Sequence, residues 1–163
     1  IIDPRELLPC LPGLTAGLTR ALGDPVPEVR TVAARVLGVL SRVVDGSRSR
    51  VMSDLAADCL RAVVDGRASG LLGSIDRAGR AQALAEMLAH SRGPAATADL
   101  VASLRPTLDA DGAAWEGFVH LVGYLPAAFE HHGSGDDLYE AAGMRSLLAD
   151  ILGMAGADFA IVA

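Results

Sequence analysis

Helix-like spacing of apolar residues recurs along this 163-residue chain and limits its fold more than any other feature. In the first segment, leucines lie three or four residues apart, which places them on one face of an α-helix. They are Leu7, Leu8, Leu11, Leu14, Leu18 and Leu22. The alternating patterns typical of strands do not persist. Because 51% of the residues are hydrophobic but only 4% aromatic, the interior must be built from Leu, Val and Ala. The chain is therefore predicted to be all-α.

Glycine, proline and aspartate residues divide the chain into seven predicted helices. Their expected bounds are about Pro4 to Leu22, Pro27 to Val44, 49–65, 74–90, Ala95 to Leu108, Asp111 to Phe129 and Asp137 to Met154. Pro27 suits the first position of the second helix, where a missing N–H has no intrahelical partner. Ser74 is predicted to be the N-cap of the fourth helix. In the second helix we expect one buried stripe, formed by Val29, Val32, Val36, Leu40 and Val43.

A fixed register relates these helices to one another. Adding 47 to Asp24, Arg30 and Leu37 gives Leu71, Arg77 and Leu84, and adding a further 38 gives Asp109, Trp115 and Val122. A unit of about 40–47 residues made of two helices has the period of HEAT and armadillo repeats. The prediction is one α-solenoid of about three and a half helix pairs. Its approximate units are 1–46, 47–92, 93–132 and an incomplete 133–163.

The register also suggests how consecutive units are held together. Asp24 precedes the second helix and Arg30 lies in its first turn, so the two side chains are close enough to pair within a unit or with the neighbouring unit. Stacked copies would form a ladder of charged hydrogen bonds. Leu71 replaces the acid in the second unit, and Trp115 replaces the arginine in the third. Trp115 is either an exposed anchor for a partner or, the interpretation that we favour, a filler of the gap left by the missing pair. The predicted ladder residues are Asp24, Arg30, Arg77, Asp109 and Asp158.

Neither end of the chain has the features of a closed domain. The sequence begins at Ile1 without an initiator Met or a signal peptide, and it ends on the apolar tail ADFAIVA. A solenoid normally closes with a capping repeat whose outer face is polar. We therefore expect a segment of a longer array with two open ends.

Charge and cysteine content restrict the partners. Residues 1–92 hold twelve Arg against ten acidic residues, residues 93–163 hold two Arg against ten, and Lys is absent. A balance this acidic argues against a dedicated nucleic-acid binder, although it does not exclude contacts from the Arg-richer first half.

Cys10 and Cys59 lack metal-ligand spacing and are predicted to be buried free thiols, as in a reducing cytosol. No apolar run approaches the ~18 residues of a membrane span.

No catalytic or cofactor-binding set emerges from the residues. His131 and His132 lie near Glu130, Asp136 and Asp137. Adjacent histidines point in different directions on a helix, so solvated residues at a helix end are favoured over a metal site. Without Lys, no phosphate-binding loop can be completed. The His-Glu pairs by which HEAT-like hydroxylases hold iron are also absent. We therefore predict no catalytic residue, metal, cofactor or small-molecule substrate.

Two stretches resemble a known family. LPCLPGLTAGLTRALGDPVPEVRTVAARVLGVL (Leu8–Leu40) and SIDRAGRAQALAEML (Ser74–Leu88) resemble the central HEAT array of the large translational activators of general amino-acid control, which is similar to the HEAT domain of fungal elongation factor three. The turn from Asp24 to Arg30 and the stretch from Asp76 to Glu86 carry the match, and Trp115 to Pro126 matches more loosely. The resemblance implies a cytoplasmic, ribosome-associated scaffold. It also implies that the initiation factor two alpha kinase binds other regions of the parent protein.

Two other classes stay open. One is a HEAT segment of a different large scaffold, such as a microtubule-regulating or transport protein. The other is a HEAT-like enzyme.

Arginines of the first half are candidate ribosome contacts. Guanidinium groups near helix ends bind the phosphates of ribosomal RNA, and they also pair with acidic ribosomal proteins. The competing interpretation, which we favour, is a solvated helix end where arginine interacts with the helix dipole. The candidates are Arg42, Arg48, Arg50, Arg77 and Arg80.

Overall fold

A computed structural model describes residues 3–44, 49–64, 70–108, 112–131, 133, 135–141, 143–150 and 153. Within these ranges all regular secondary structure is helical, which confirms the all-α prediction. The helices are α1 (Pro4–Leu7), α2 (Leu11–Ala21), α3 (Pro27–Val43), α4 (Arg50–Val64), α5 (Gly70–Ser91), α6 (Pro94–Leu104), α7 (Ala113–Glu130), α8 (Gly135–Glu140) and α9 (residues 143–150). A short 3-10 turn, Arg105–Thr107, follows α6.

Prolines determine several helix ends. The prediction of one helix from Pro4 to Leu22 is wrong: α1 and α2 are separate, because Pro9 between them has no N–H for a helical hydrogen bond. Pro12 lies in the first turn of α2, where the missing N–H costs nothing. α3 begins at Pro27, as predicted. α6 was expected to reach Leu108 but ends at Leu104, and Pro106 lies in the 3-10 turn.

Two other helix bounds differ from the prediction. α5 begins at Gly70, whose φ of 82° is a left-handed conformation that glycine adopts without strain. Ser74 is therefore not an N-cap but lies inside the helix. The last predicted helix, Asp137 to Met154, is interrupted between α8 and α9. Near the interruption, Nε of Arg145 donates to the main-chain oxygen of Tyr139 at 3.3 Å.

The helices form pairs that stack side by side. α2 packs on α3 and α4 packs on α5, while α3, α5 and α7 lie next to one another in that order. α4 also contacts α7, and α6 contacts α8. This is the architecture of a helical repeat solenoid, as predicted. The largest fully buried side chains are Phe118, Phe129, Leu11, Leu22, Leu37, Met52, Leu121, Leu125, Leu138, Met144, Val63 and Val101.

α3 buries a different face from the one predicted. Val29, Val32, Val36 and Val43 are 37–61% exposed, so the prediction of a buried valine stripe holds only for Leu40. Small side chains on another side of the helix allow α5 to pack closely there instead. Hydrophobicity alone does not tell which of two apolar faces meets the next helix. The buried residues of α3 are Ala33, Ala34, Leu37, Gly38, Leu40 and Ser41.

Candidate functional site

Consecutive helix pairs approach most closely at two glycines. A Cβ atom on Gly79 of α5 would lie 1.9 Å from the main-chain oxygen of Leu22, at the end of α2. A Cβ atom on Gly117 of α7 would lie 2.3 Å from the main-chain oxygen of Val63, in the last turn of α4. Cβ atoms essentially never approach other heavy atoms within 3.0 Å, so both junctions require glycine. The sequence signal for these junctions was glycine at the same register position of two units, and it was not recognised.

The predicted ladder begins differently in the first unit. Nη1 of Arg30 donates to the main-chain oxygens of Asp24 at 2.7 Å and of Pro25 at 3.1 Å. The carboxylate of Asp24 instead accepts from the amide of Val26 at 2.8 Å. Arg30 therefore closes the turn through main-chain oxygens rather than through the expected carboxylate. Both side chains stabilise the turn that sets the start of α3.

Between the second and third units a charged contact is present. The side chain of Arg77 is 5% exposed, and its Nη2 donates to Oε2 of Glu116 in α7 at 2.8 Å. The hydroxyl of Ser74 donates to the other carboxylate oxygen. These two hydrogen bonds outweigh partial burial and lower the pKa of Glu116, which favours the ionised form. Glu116, the partner of Arg77, lies one position after Trp115. The repeat offsets of 47 and 38 residues did not predict an acidic partner at this position.

Trp115 packs between the hydrophobic core and Arg105. It is half-buried against the core and stacks on Phe118 with 5.5 Å between ring centroids. The guanidinium carbon of Arg105 lies 4.8 Å from the centroid of the indole ring. Position 115, where the repeat register predicts an arginine that makes a charged hydrogen bond, therefore carries a cation–π contact instead.

Four of the five candidate ribosome contacts lie among the described residues, and these four fall into three groups. Arg77 is buried and paired with Glu116, so it offers little surface to a partner. Arg80 is partly buried and its Nε donates to Oδ2 of Asp76 at 2.8 Å. Arg42 and Arg50 are exposed. Arg48 lies outside the described residues, as do the ladder residues Asp109 and Asp158.

A second polar contact connects three helix pairs. Nη2 of Arg35 in α3 lies 3.2 Å from Nε2 of His131, the residue directly after α7. Nδ1 of His131 lies 3.8 Å from Oε1 of Glu86, a buried residue of α5. His131 was predicted to be solvated, and it is partly exposed but in contact with two other helices. His132 lies outside the described residues.

The described residues offer few groups for chemistry. No group of three or more His, Cys, Asp or Glu side chains among them is placed to hold a metal ion. Burial raises the pKa of the Cys59 thiol to about 11, so it stays protonated. Cys10 is exposed, contrary to prediction, because it lies in the turn between α1 and α2.

A cavity of about 360 Å³ has a mostly aliphatic lining, with Arg92 as its ionisable group. Among the helices that the structure describes, none is both long and apolar enough to cross a membrane.

The sequence of this chain matches short segments of much longer proteins. The chain is 33% identical over 132 residues to "Stalled ribosome sensor GCN1" of Mus musculus and of Homo sapiens, a match that covers 79% of the chain and 5% of each relative. It is 33% identical over 129 residues to "eIF-2-alpha kinase activator GCN1" of Saccharomyces cerevisiae, covering 79% of the chain and 4% of that relative. No protein-family model and no solved structure matches the chain. The chain is therefore a homologue of one small segment of the GCN1 proteins, which confirms the resemblance described above.

Proposed function

We propose that this chain is a non-catalytic scaffold segment of a ribosome-associated translational regulator that acts in the cytoplasm. The similarity to the GCN1 proteins carries the proposal, because these relatives are named for sensing stalled ribosomes and for activating the eIF-2-alpha kinase. Stacked helix pairs suit a binding role, since they present a long continuous surface. In this proposal, other regions of the full-length protein contact the kinase.

The ribosome-binding surface in this proposal is the group of arginines around the connection between α3 and α4. Arg42 lies in the last turn of α3, where the helix dipole stabilises a cation. Arg50 is the first residue of α4, where the dipole opposes a cation by about 0.3–1 kcal/mol. The helix dipole therefore does not explain an exposed arginine at this position, which supports a role in partner binding. Arg48 lies between the two in the sequence.

Cosedimentation of the full-length protein with ribosomes tests this surface. Replacing both arginines, Arg48→Ala and Arg50→Ala, should weaken binding at low salt. If each contacts a phosphate, the slope of log affinity against log salt should become shallower by about 0.7–0.9 per lost contact. Arg61→Ala is a matched control, because Arg61 is an exposed arginine towards the other end of α4. Equal pelleting of the double variant and the control at every salt concentration would remove the proposed contact.

The proposal also assigns no catalysis to this segment. The relatives are named as a sensor and as an activator, and the described residues include no group of three or more His, Cys, Asp or Glu placed to hold a metal ion. Elemental analysis of the purified chain provides the test. A stoichiometric transition metal that survives dialysis against a chelator would contradict the proposal.

A further inference from the structure

The cavity of about 360 Å³ lies between α4, α5 and α6, with one residue from the end of α3. It exists because α4 and α6 each contact α5 but do not pack closely on one another. Its deepest side chains belong to the core: Met52, Leu84 and Met87 are at most 3% exposed. The cavity is therefore a cleft that reaches the core, not a shallow depression of the surface.

The cavity follows the first turns of α4 and the last turns of α5. Its lining includes residues from Met52 to Leu60 of α4 and from Leu84 to Leu88 of α5. Two packed helices with a short connection are antiparallel, so Met52 lies towards the end of α5 and Leu60 towards its middle. The distance from Met52 to Leu60 along the axis of α4 is about 12 Å. A volume of 360 Å³ over this length gives a mean cross-section of about 30 Å².

This cross-section is too small for a helix of a partner protein. With its side chains, an α-helix is about 10–12 Å across, which corresponds to about 80–110 Å². Carbon atoms in contact are about 3.5–4.0 Å apart, so a single extended aliphatic chain occupies only about 20 Å². The cavity therefore suits one aliphatic chain, lying along α4.

The polar groups of the lining lie at one end of the cavity. Ser53 lies in the first turn of α4, Arg92 directly follows α5, and Ser41 lies in the last turn of α3, which precedes α4 in the chain. At the other end, Leu60 and Leu84 face the cavity. An occupant should therefore have one polar end and one aliphatic end.

Arg92 determines the charge of the polar end. Its side chain is exposed, and none of the ion pairs among the described residues includes it. The dipole at the end of α5 favours a cation there, but it amounts to only a partial charge. The guanidinium group can therefore still donate charge-assisted hydrogen bonds to a carboxylate.

We propose that this cavity binds an aliphatic monocarboxylate of medium chain length, with its carboxylate on Arg92 and its chain along α4. The narrow aliphatic space and the complementary charge at one end carry the proposal. Its volume lies within the range of about 300–1,000 Å³ that is typical of small-molecule sites, which are mostly apolar with a few polar groups. The bound molecule would contact both α4 and α6 and would fill the space between them. This inference does not depend on the ribosome-binding role proposed above.

Methyl NMR of the methionines tests the site. Met52 and Met87 line the cavity, whereas Met144, a buried residue of α9, does not. The 163-residue chain, labelled with ¹³C at its methionine methyl groups, is titrated with decanoate below its micelle concentration. The signals of Met52 and Met87 should shift saturably, and the signal of Met144 should not shift.

Three variants test the orientation of the ligand. Arg92→Ala should weaken decanoate binding about threefold to fivefold, the upper part of the range for an exposed ion pair. It should leave the binding of decan-1-ol unchanged, because this molecule has the same chain length and no charge. Arg5→Ala, at an exposed arginine of α1 outside the cavity, is the matched control and should change neither affinity. Ala57→Phe should abolish the binding of both molecules, since Ala57 is an exposed residue of the lining and a larger side chain there narrows the cavity.

Each other outcome overturns the proposal. Decanoate that shifts no methionine signal saturably does not occupy the cavity, and equal shifts of Met144 would show non-specific binding. Unchanged decanoate affinity in Arg92→Ala would show that the carboxylate does not contact this arginine. Unchanged binding to Ala57→Phe would place the aliphatic chain elsewhere. Circular dichroism checks that each variant folds as the unmodified chain does.

Discussion

Replacing Gly79 by alanine should weaken the junction between the first and second helix pairs. The added methyl carbon would lie 1.9 Å from the main-chain oxygen of Leu22, more than 1 Å short of the 3.0 Å that Cβ atoms keep. Because the obstacle is main chain, no rotamer change relieves it, and α5 must move away from the end of α2. A gap of about 1 Å forfeits up to half of the dispersion attraction across a contact.

The expected net effect is a moderate loss of stability. Overpacking of this kind costs about 1–3 kcal/mol. The higher helix propensity of alanine offsets about 1 kcal/mol of that cost. We therefore expect a loss of up to about 2 kcal/mol, which lowers the Tm of a chain this long by up to roughly 8 °C. Guanidinium unfolding followed by circular dichroism measures the change.

Gly123→Ala is the matched control for this substitution. Gly123 is an exposed residue inside α7, and apart from its chain neighbours and the backbone of its own helix no atom lies within 4 Å of the position its Cβ would take. This variant should be more stable than the unmodified chain by up to about 1 kcal/mol. If Gly79→Ala gained as much stability as Gly123→Ala, the close approach would be refuted, and the equivalence of Gly79 and Gly117 would lose its physical basis.

Three further predictions concern single side chains. The pKa of Glu116 is lowered in the folded state, so its contribution to stability is complete above the ordinary value of 4.5 and is lost as the pH falls through the folded value. Glu116→Gln should therefore lose less stability than the unmodified chain as the pH falls below 4.5 in acid unfolding, and identical profiles would contradict this. A thiol reagent at mildly alkaline pH should modify Cys10 at once and Cys59 only on unfolding, whereas rapid modification of both would show that Cys59 is not buried. Arg105→Ala should cost about 0.5–1 kcal/mol and alter the emission of Trp115, and an unchanged spectrum would argue against the cation–π contact.

The presence of most helices could be predicted from this sequence, because the residue patterns that indicate a helix lie within the helix itself or directly beside it. Spacing of three and four residues and proline punctuation place α3 at Pro27–Val43 and α4 at Arg50–Val64, close to the expected bounds. The interruption at Pro9 follows from the same chemistry. The leucine spacing continues through Pro9, so the spacing alone predicts one helix where the proline separates two.

The faces of the helices could not be predicted in the same way. Val32 is apolar and Arg77 is charged, yet Val32 is exposed and Arg77 is buried. Arg77 is buried because Ser74 and Glu116 complete a hydrogen-bonded group, and Glu116 lies 39 residues away in a different helix. Such pairing depends on how α7 is rotated against α5, which the pattern of one helix does not contain.

The distribution of the full-length protein on ribosomes tests the central claim most directly. Lysates from cells with stalled and with unstalled translation are treated with nuclease and separated on sucrose gradients. If this segment belongs to a ribosome-associated scaffold, the protein should become enriched on nuclease-resistant ribosome pairs when translation is stalled. A protein that stays in the ribosome-free fractions under both conditions would contradict the account.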